Sequence, residues 1–263
     1  MTALNSQSIA ELLNPDGFPW RFQIHEEVTS TSDLARSAGM AGEAAGLVIM
    51  AESQTNGRGQ RSNRWITPMG QDLTMSLLLR PPLPLEQWPR LTTLAALAIC
   101  RAIEAVVPLH PVIKWPNDIY MGSRKVSGLL AETFAGPAGA FLVLGIGLNV
   151  NATSFPEELQ GLATSILREL PAHVQCLERE PLAAALLSEL DRAMHLWGDG
   201  FTDVVAEVRS RSLLLAKQVR AVVDGREVSG KVLDLNHEGH LVLQLMDGSS
   251  QTLSSAADVR LVY

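Results

Sequence analysis

The sequence predicts an α+β protein that consists of a mixed-sheet domain followed by a small β-barrel. In the first two hundred or so residues, apolar runs of strand length alternate with longer helical runs. From about Leu213 the pattern changes to short alternating strands, separated by turn pairs such as Asp224-Gly225 and Asp247-Gly248. We therefore expect two domains, residues 1–212 and residues 213–263.

Helices and strands of the first domain follow from apolar spacing and from the turn residues that bound each run. Strands are predicted at residues 25–28, 46–51, 73–79, 112–115, 125–132 and 141–149. Helices are predicted at residues 8–13, 33–40, 91–107, 181–197 and 201–210. Ser30 followed by Asp33 is typical of a helix N-terminus, with Ser30 as the capping residue. Pro116 should end its strand and present Asn117 and Asp118 at a turn.

Composition and charge describe an ordinary globular chain. The 263 residues are 46% hydrophobic and 19% charged, which supplies enough apolar material for one large core and one small one. The formal net charge of -7 argues against a general nucleic-acid binder, which usually presents a basic face. Cys100 and Cys176 lack metal-type spacing and indicate a reducing compartment without a disulfide framework.

The sequence predicts neither a targeting segment nor a membrane-spanning segment. Residues 1–13 lack a basic start and a continuous apolar core, so they do not resemble a signal peptide. The apolar run at residues 91–109 is interrupted by Arg101 and Glu104, and it is too short and too charged to span a membrane. We therefore expect a cytoplasmic protein with no membrane partner.

A basic stretch, residues 52–65, follows the apolar strand predicted at residues 46–51. Arg58, Arg61 and Arg64 recur in it at every third position, against the acidic balance of the whole chain. Glycines at 57 and 59 let backbone N–H groups approach a ligand closely. Such donors, together with guanidinium groups, suit a phosphate or a carboxylate. A solvated surface loop is the alternative that composition alone leaves open.

Three further motifs follow the basic stretch in order. They are Lys114-Trp115-Pro116-Asn117-Asp118-Ile119, Lys125-Val126-Ser127-Gly128-Leu129-Leu130-Ala131-Glu132 and Gly145-Ile146-Gly147-Leu148-Asn149-Val150-Asn151. Together with Gly57-Arg58-Gly59, they resemble the biotin protein ligases in order and spacing. The resemblance extends over residues 25–155 by motif and over residues 215–263 by pattern. It implies a class II synthetase-like catalytic domain of the biotin/lipoate ligase type and an SH3-like β-barrel.

The resemblance also assigns candidate ligand residues. On the biotin side these are Ser30, Thr31, Ser32, Gln54, Gly57, Arg58, Gly59, Gln60, Lys125, Gly128, Gly145 and Gly147. On the ATP side they are Arg61, Asn63, Arg64, Trp65, Lys114, Asn117, Lys125 and Asn149. Lys125 and Arg58 are the catalytic candidates, and Lys125 would touch both the biotin carboxylate and the α-phosphate. Asp118 has two open roles: orienting Mg²⁺ or the incoming amine, or capping a turn.

The chemistry of acid activation explains why cations are needed in this pattern. A carboxylic acid is a poor acyl donor, and joining it to AMP with loss of pyrophosphate provides a good leaving group. Because carboxylate and triphosphate are both anionic, the site must supply positive charge and precise positioning. The lysines and arginines of the motifs, together with Mg²⁺ held mainly by ATP, would supply that charge.

The function that the resemblance implies is an ATP-dependent biotin–[carboxyl carrier protein] ligase. Such an enzyme forms biotinyl-5'-AMP and passes biotin to one lysine of an acetyl-CoA carboxylase carrier domain. Alternatives are a lipoate–protein ligase and a non-catalytic biotin-binding regulator. The Lys114-Trp115-Pro116-Asn117-Asp118 motif favours biotin. The short lead-in before residue 25 has no room for a DNA-binding module, so we expect the short form, with no DNA partner. The resemblance also implies a homodimer as one form of assembly.

The basic stretch departs from the commoner family pattern, Gly-Arg-Gly-Arg-x-Gly-Arg-x-Trp. Gln60 replaces the second arginine, Ser62 the third glycine and Asn63 the third arginine. In the family this loop closes over the acyl-adenylate and keeps it from water. These three departures therefore concern how the loop closes and how well it retains the adenylate.

Overall fold

The computed structural model describes residues 2–60, 63–198 and 200–262. Its larger sheet is built from β1 (Arg21–Val28), β2 (Leu47–Gln54), β3 (Leu73–Leu79), β4 (Val112–Lys114), β5 (Asp118–Met121), β6 (Arg124–Gly136) and β7 (Gly139–Leu148). The seven strands lie in the order β1-β2-β3-β7-β6-β5-β4. β1 and β2 are parallel, and each other neighbouring pair is antiparallel. The predicted mixed sheet is confirmed.

Helices cover both faces of this sheet. They are α1 (Ser6–Glu11), α2 (Thr31–Met40), α3 (Arg90–Val106), α4 (Ile166–Glu169), α5 (Arg179–His195) and α6 (Phe201–Ser210). Successive side chains of a strand point to opposite faces. Accordingly, Leu47 and Ile49 of β2 join the smaller apolar cluster, under α2, whereas Val48 and Met50 join the larger cluster that includes α3 and α5. Within the described residues no helix has the length and apolar character needed to cross a membrane.

Several elements differ in their bounds from the sequence prediction. β1 begins at Arg21 rather than at residue 25, and α1 spans Ser6–Glu11 rather than residues 8–13. β6 and β7 extend to Gly136 and Gly139, so the glycine-rich segment between them is a tight hairpin turn. β5 and α4 were not predicted, because each is only four residues long, too short for a pattern to stand out in the sequence.

The C-terminal strands form a separate antiparallel sheet. They are β8 (Gln218–Val223), β9 (Arg226–Leu235), β10 (Leu241–Gln244), β11 (Ser250–Leu253) and β12 (Ala257–Leu261), in the order β11-β10-β9-β8-β12. Asp224 and Gly225 both have positive φ in the β8–β9 turn, as the hairpin prediction requires. This arrangement fits an SH3-like domain. The Trp115 indole of the first domain donates to the Gly239 carbonyl over 2.9 Å. The boundary at residue 212 stays a proposal.

A buried ion pair anchors the end of β2, where the basic stretch begins. The guanidinium of Arg179, at the start of α5, contacts both carboxylate oxygens of Glu52 at 2.6 and 3.2 Å. The same guanidinium donates to the backbone carbonyls of Asp72 and Thr2, and the Leu4 N–H donates to Glu52. Breaking a buried pair of this kind by removing one partner costs about 3–5 kcal/mol. The pair therefore fixes β2, β3, α5 and the N-terminal segment together.

Asp72 lies beside this pair and is fully buried. Its carboxylate accepts the Val150 N–H over 2.8 Å, which ties the start of β3 to the end of β7. Burial raises the pKa of Asp72 to about 6, against the opposing effects of backbone N–H groups and of Arg179. The folded protein therefore holds a proton on Asp72 at pH values where an unfolded chain has released it.

Replacing Asp72 by Asn is expected to flatten the dependence of stability on pH. The pKa of Asp72 is raised from 3.8 to about 6 on folding. The stability that it contributes is therefore fully present below about pH 4 and lost as the pH rises through about 6. Between those limits the loss is on the order of 3 kcal/mol. Urea unfolding at several pH values measures it, with the exposed Asp16→Asn as control. An unchanged slope in Asp72→Asn would contradict the assignment.

Candidate active site

A cavity of about 480 Å³ is lined by both sheets. Strands β3, β6 and β7 supply one wall through the beginnings of β3 and β6 and the end of β7, and the basic stretch supplies a second. The turn between β4 and β5 adds Asn117 and Asp118, as predicted from Pro116, and Lys114 at the end of β4 lies beside them. The C-terminal sheet adds Val222, Ala256, Asp258, Val259 and Arg260.

Most of the sequence-predicted ligand residues line this one cavity. They are Thr31, Ser32, Gln54, Arg58, Gly59, Gln60, Asn63, Arg64, Trp65, Lys114, Asn117, Asp118, Lys125, Gly128, Gly145 and Gly147. The predicted ATP-side residue Arg61 and the family departure Ser62 lie outside the described residues. The structure thus gathers the four motifs at one place, and the ligand assigned to each residue stays a prediction.

Three predicted residues lie behind the cavity wall. Ser30 stands at the N-cap position of α2, but its buried hydroxyl makes no cap hydrogen bond and has no partner among the described residues. The expected capping contact is therefore absent from the described structure. Gly57 accepts the Trp65 N–H through its carbonyl and closes the base of the loop. The buried amide of Asn149 donates to the Thr164 carbonyl over 2.9 Å. Their roles in ligand binding stay predictions.

Lys125 is oriented from two sides. Its backbone N–H donates to Leu162, and its carbonyl accepts from Thr164. Its ammonium forms an ion pair with the Asp118 carboxylate at 2.5 Å. The ammonium also lies 5.8 Å from the centroid of the Trp65 ring. Within the described part of the chain, no three His, Cys, Asp or Glu side chains are grouped as metal ligands.

Lys114 supplies a second lysine to the same wall. Burial lowers its pKa, the nearby Lys125 lowers it further, and Asp118 opposes the shift. Its ammonium donates to the Tyr120 hydroxyl at 3.4 Å, and burial raises the pKa of Tyr120 to about 12. An anion bound in the cavity would stabilise the charged form of Lys114.

Arg58 already has two acidic partners. Its guanidinium contacts Asp33 of α2 at 2.8 Å and Glu132 of β6 at 2.6 Å. All three side chains are partly buried, so the contacts join the basic stretch to α2 and to the sheet. The geometry fits a brace for the loop. The catalytic role predicted for Arg58 stays a prediction.

Trp65 fills a slot that two glycines leave open. Gly128 and Gly147 face each other across β6 and β7. A Cβ added at Gly147 would lie 2.1 Å from the indole, and one at Gly128 would lie 3.2 Å from it. The indole N–H is buried without a hydrogen-bond partner among the described residues. The slot therefore requires glycine at position 147, and a side chain at position 128 would crowd both the indole and the Lys125 ammonium.

Hydroxyl groups that the sequence analysis missed line the other end of the cavity. Thr74 and Ser76 lie on β3 and are buried. Ser76 contacts the hydroxyls of Thr31 at 2.8 Å and of Ser32 at 3.0 Å. The available signal was two polar residues at alternate positions of the apolar run at residues 73–79. No comparable signal marks Asp258 and Arg260, which form an ion pair at 2.7 Å on β12.

The fold and the cationic cavity together define a ligase that activates a small carboxylic acid. The chain belongs to the biotin/lipoate A/B protein ligase family, whose model matches residues 26–149. The resemblance drawn from the four motifs is thereby confirmed.

Individual relatives support the same family. The chain is 32% identical to a biotin–[acetyl-CoA-carboxylase] ligase of Mycobacterium tuberculosis over 97% of this chain and 95% of that protein. It is 34% identical to the bifunctional ligase/repressor BirA of Bacillus spizizenii, over 90% of this chain and 73% of that protein. A solved structure of the Aquifex aeolicus biotin protein ligase in complex with biotin and ATP has the same fold, with a TM-score of 0.80 and 24% identity. The match covers 93% of this chain and 100% of that one.

Gly147→Ala is expected to expel the Trp65 indole from its slot. The added methyl group cannot share the space, and overpacking of this kind costs about 1–3 kcal/mol. We expect the tryptophan emission to shift to longer wavelength as the indole enters water. A shift of equal size in the Trp65→Phe background would contradict this account. Gly198→Ala is the matched control, because its new methyl group would meet no described atom within 4 Å.

Proposed function

We propose that this protein is an ATP-dependent biotin–[carboxyl carrier protein] ligase. The observation that carries the proposal is the meeting of Lys125, Lys114 and Arg64 in one cavity that also holds a group of hydroxyls at its other end. The cations suit a carboxylate and a triphosphate, and the hydroxyls suit the polar head of the acid. The Mycobacterium tuberculosis relative, which the chain matches over nearly its whole length, supports biotin as that acid.

In the first step, a biotin carboxylate oxygen attacks the α-phosphorus of MgATP. A new oxygen–phosphorus bond forms, the bond to the departing pyrophosphate breaks, and biotinyl-5'-AMP results. Because both reactants are anionic, the reaction depends on their being held together against repulsion. Lys125 would exchange its contact with Asp118 for the carboxylate and the α-phosphate. The magnesium ion enters with ATP, coordinated mainly by phosphate oxygens.

In the second step, the ε-amine of a carrier lysine attacks the carbonyl carbon of the mixed anhydride. The amide bond forms, AMP leaves, and the nitrogen loses a proton. Asp118 is freed from Lys125 once that lysine binds the adenylate. Its carboxylate would then orient the incoming amine. The carrier would be a biotin carboxyl carrier domain of the acetyl-CoA carboxylase type.

Assembly is a separate proposal. We infer that the protein can form a homodimer through the edge of its larger sheet, because β1 is the terminal strand there and leaves one side unpaired within the described chain. Sedimentation velocity with and without biotin and ATP would measure the assembly. The expectation of no DNA partner stays a prediction from the sequence.

Biotin transfer is tested by incubating the protein with MgATP, biotin and a purified carrier domain. The carrier should gain the mass of one biotinyl group at a single lysine. Pyrophosphate release is measured in parallel with lipoate and octanoate. Release with lipoate that exceeds release with biotin would favour the lipoate ligase. Folded protein that binds biotin but neither releases pyrophosphate nor labels the carrier would be the non-catalytic regulator.

Lys125→Ala is expected to slow pyrophosphate release by at least about 100-fold, the scale of losing one electrostatic contact to a transition state. Lys217→Ala removes an exposed lysine that does not line the cavity, and it should match wild type. Circular dichroism checks the fold of both variants. A Lys125→Ala protein with wild-type rates would remove Lys125 from the mechanism.

A further inference from the structure

A chain of hydrogen bonds runs along the end of the cavity opposite the lysines. It begins at the Gln54 side-chain oxygen, which accepts the Thr31 backbone N–H over 2.8 Å. The Thr31 hydroxyl donates to the same oxygen over 3.1 Å. The Ser76 hydroxyl lies 2.8 Å from that of Thr31 and 3.0 Å from that of Ser32. The three hydroxyl residues are at most 6% exposed, so water has little access to them.

When all four contacts are made together, the direction of each proton follows from the two donors that meet Gln54. A backbone N–H can only donate, so the Gln54 atom that it meets is the oxygen, an acceptor. The Thr31 hydroxyl donates its single proton to that oxygen, so it can only accept a hydrogen bond from Ser76. Ser76 then has no proton left for Ser32, so the Ser32 hydroxyl donates to Ser76. Ser32 is therefore left with only lone pairs for a ligand.

Gly145 has no side chain and so leaves room on the sheet for the Ser32 hydroxyl. It is the partner of Ser76 across β3 and β7. A Cβ at this position would lie 2.9 Å from the Ser32 oxygen, so any larger residue would push the hydroxyl away. Ser32 thus lies over the sheet, in the cavity lining, with its hydroxyl 3.0 Å from that of Ser76.

We propose that Ser76 is a positioning residue that sets Ser32 as a hydrogen-bond acceptor, and thereby selects an acid whose head group carries an N–H donor. The inference rests on the proposed function and deepens it. The ureido ring of biotin carries two N–H groups, whereas the dithiolane of lipoate and the alkyl end of octanoate carry none. An N–H donor placed at this fixed acceptor gains a hydrogen bond, whereas a head group without one leaves the Ser32 lone pairs without a donor in a buried site.

Ser76→Ala interrupts the chain of hydrogen bonds at its centre and frees the Ser32 proton to point into the cavity. The ratio of kcat/KM for biotin to that for octanoate should fall roughly 3- to 10-fold, the scale of one neutral hydrogen bond. The fall should appear mainly in KM for biotin. A merely structural effect would lower kcat/KM for both acids by the same factor and leave the ratio unchanged. Ser53→Ala is the matched control, because Ser53 is a buried serine whose hydroxyl contacts Glu27 away from the cavity.

Biotin analogues methylated at either ureido nitrogen test the direction of the contact. In wild type, one of the two isomers should bind roughly 3- to 10-fold more weakly than biotin beyond the effect of its bulk. That penalty should shrink in Ser76→Ala and vanish in Ser32→Ala, and the two substitutions should not be additive. Ser32→Ala also serves if Ser76→Ala does not fold, because Ser32 lies at the start of α2 rather than within the sheet.

Two failures are distinguishable. No biotin-dependent pyrophosphate release by wild type would overturn the proposed function. Wild-type activity together with an unchanged biotin-to-octanoate ratio in both Ser76→Ala and Ser32→Ala would overturn the role of Ser76 and leave the ligase assignment in place. A methylation penalty of equal size in wild type, Ser76→Ala and Ser32→Ala would overturn the role of Ser76 as well.

Discussion

The buried contact between Glu52 and Arg179 is the constraint on which the geometry of the site depends. Charges removed from water are tolerated only where partners and hydrogen bonds replace the lost hydration. Here one guanidinium holds a carboxylate and two backbone carbonyls from three distant parts of the chain. Glu52 is close to the end of β2, so this contact determines where the basic stretch leaves the sheet. The position of the loop over the cavity follows from that departure point.

Paired charge recurs among the cations of the cavity. In the described structure each of three cations has a carboxylate partner: Lys125 with Asp118, Arg58 with Asp33 and Glu132, and Arg260 with Asp258. Such pairs hold cations in position before a ligand arrives, which lowers the cost of ordering them on binding. An anionic ligand must then displace or share these contacts. The site is organised in advance, and part of the binding energy is used in the exchange.

Sequence patterns predicted the elements that are stabilised by local spacing. The strand at residues 73–79 and the helix at residues 201–210 were correct to the residue. The strand is an apolar run of strand length ended by prolines, and the helix continues the helical region that precedes it. The motifs also indicated which residues would gather around the cavity. What the sequence could not provide is pairing at long range. Glu132 as a partner of Arg58, and Ser76 beneath Thr31, arise only when β6 and β3 are set beside α2.

The walls of the cavity come from segments that are far apart along the chain, from Thr31 in α2 to Arg260 in β12. Contacts of high sequence separation form late in folding, because a long stretch of chain must lose its freedom before they contribute. The cavity is thus not a locally folded unit that could exist before the rest. A folding intermediate with only the larger sheet in place would lack one wall. Competence to bind a ligand should therefore appear together with the final docking of the two sheets, rather than before it.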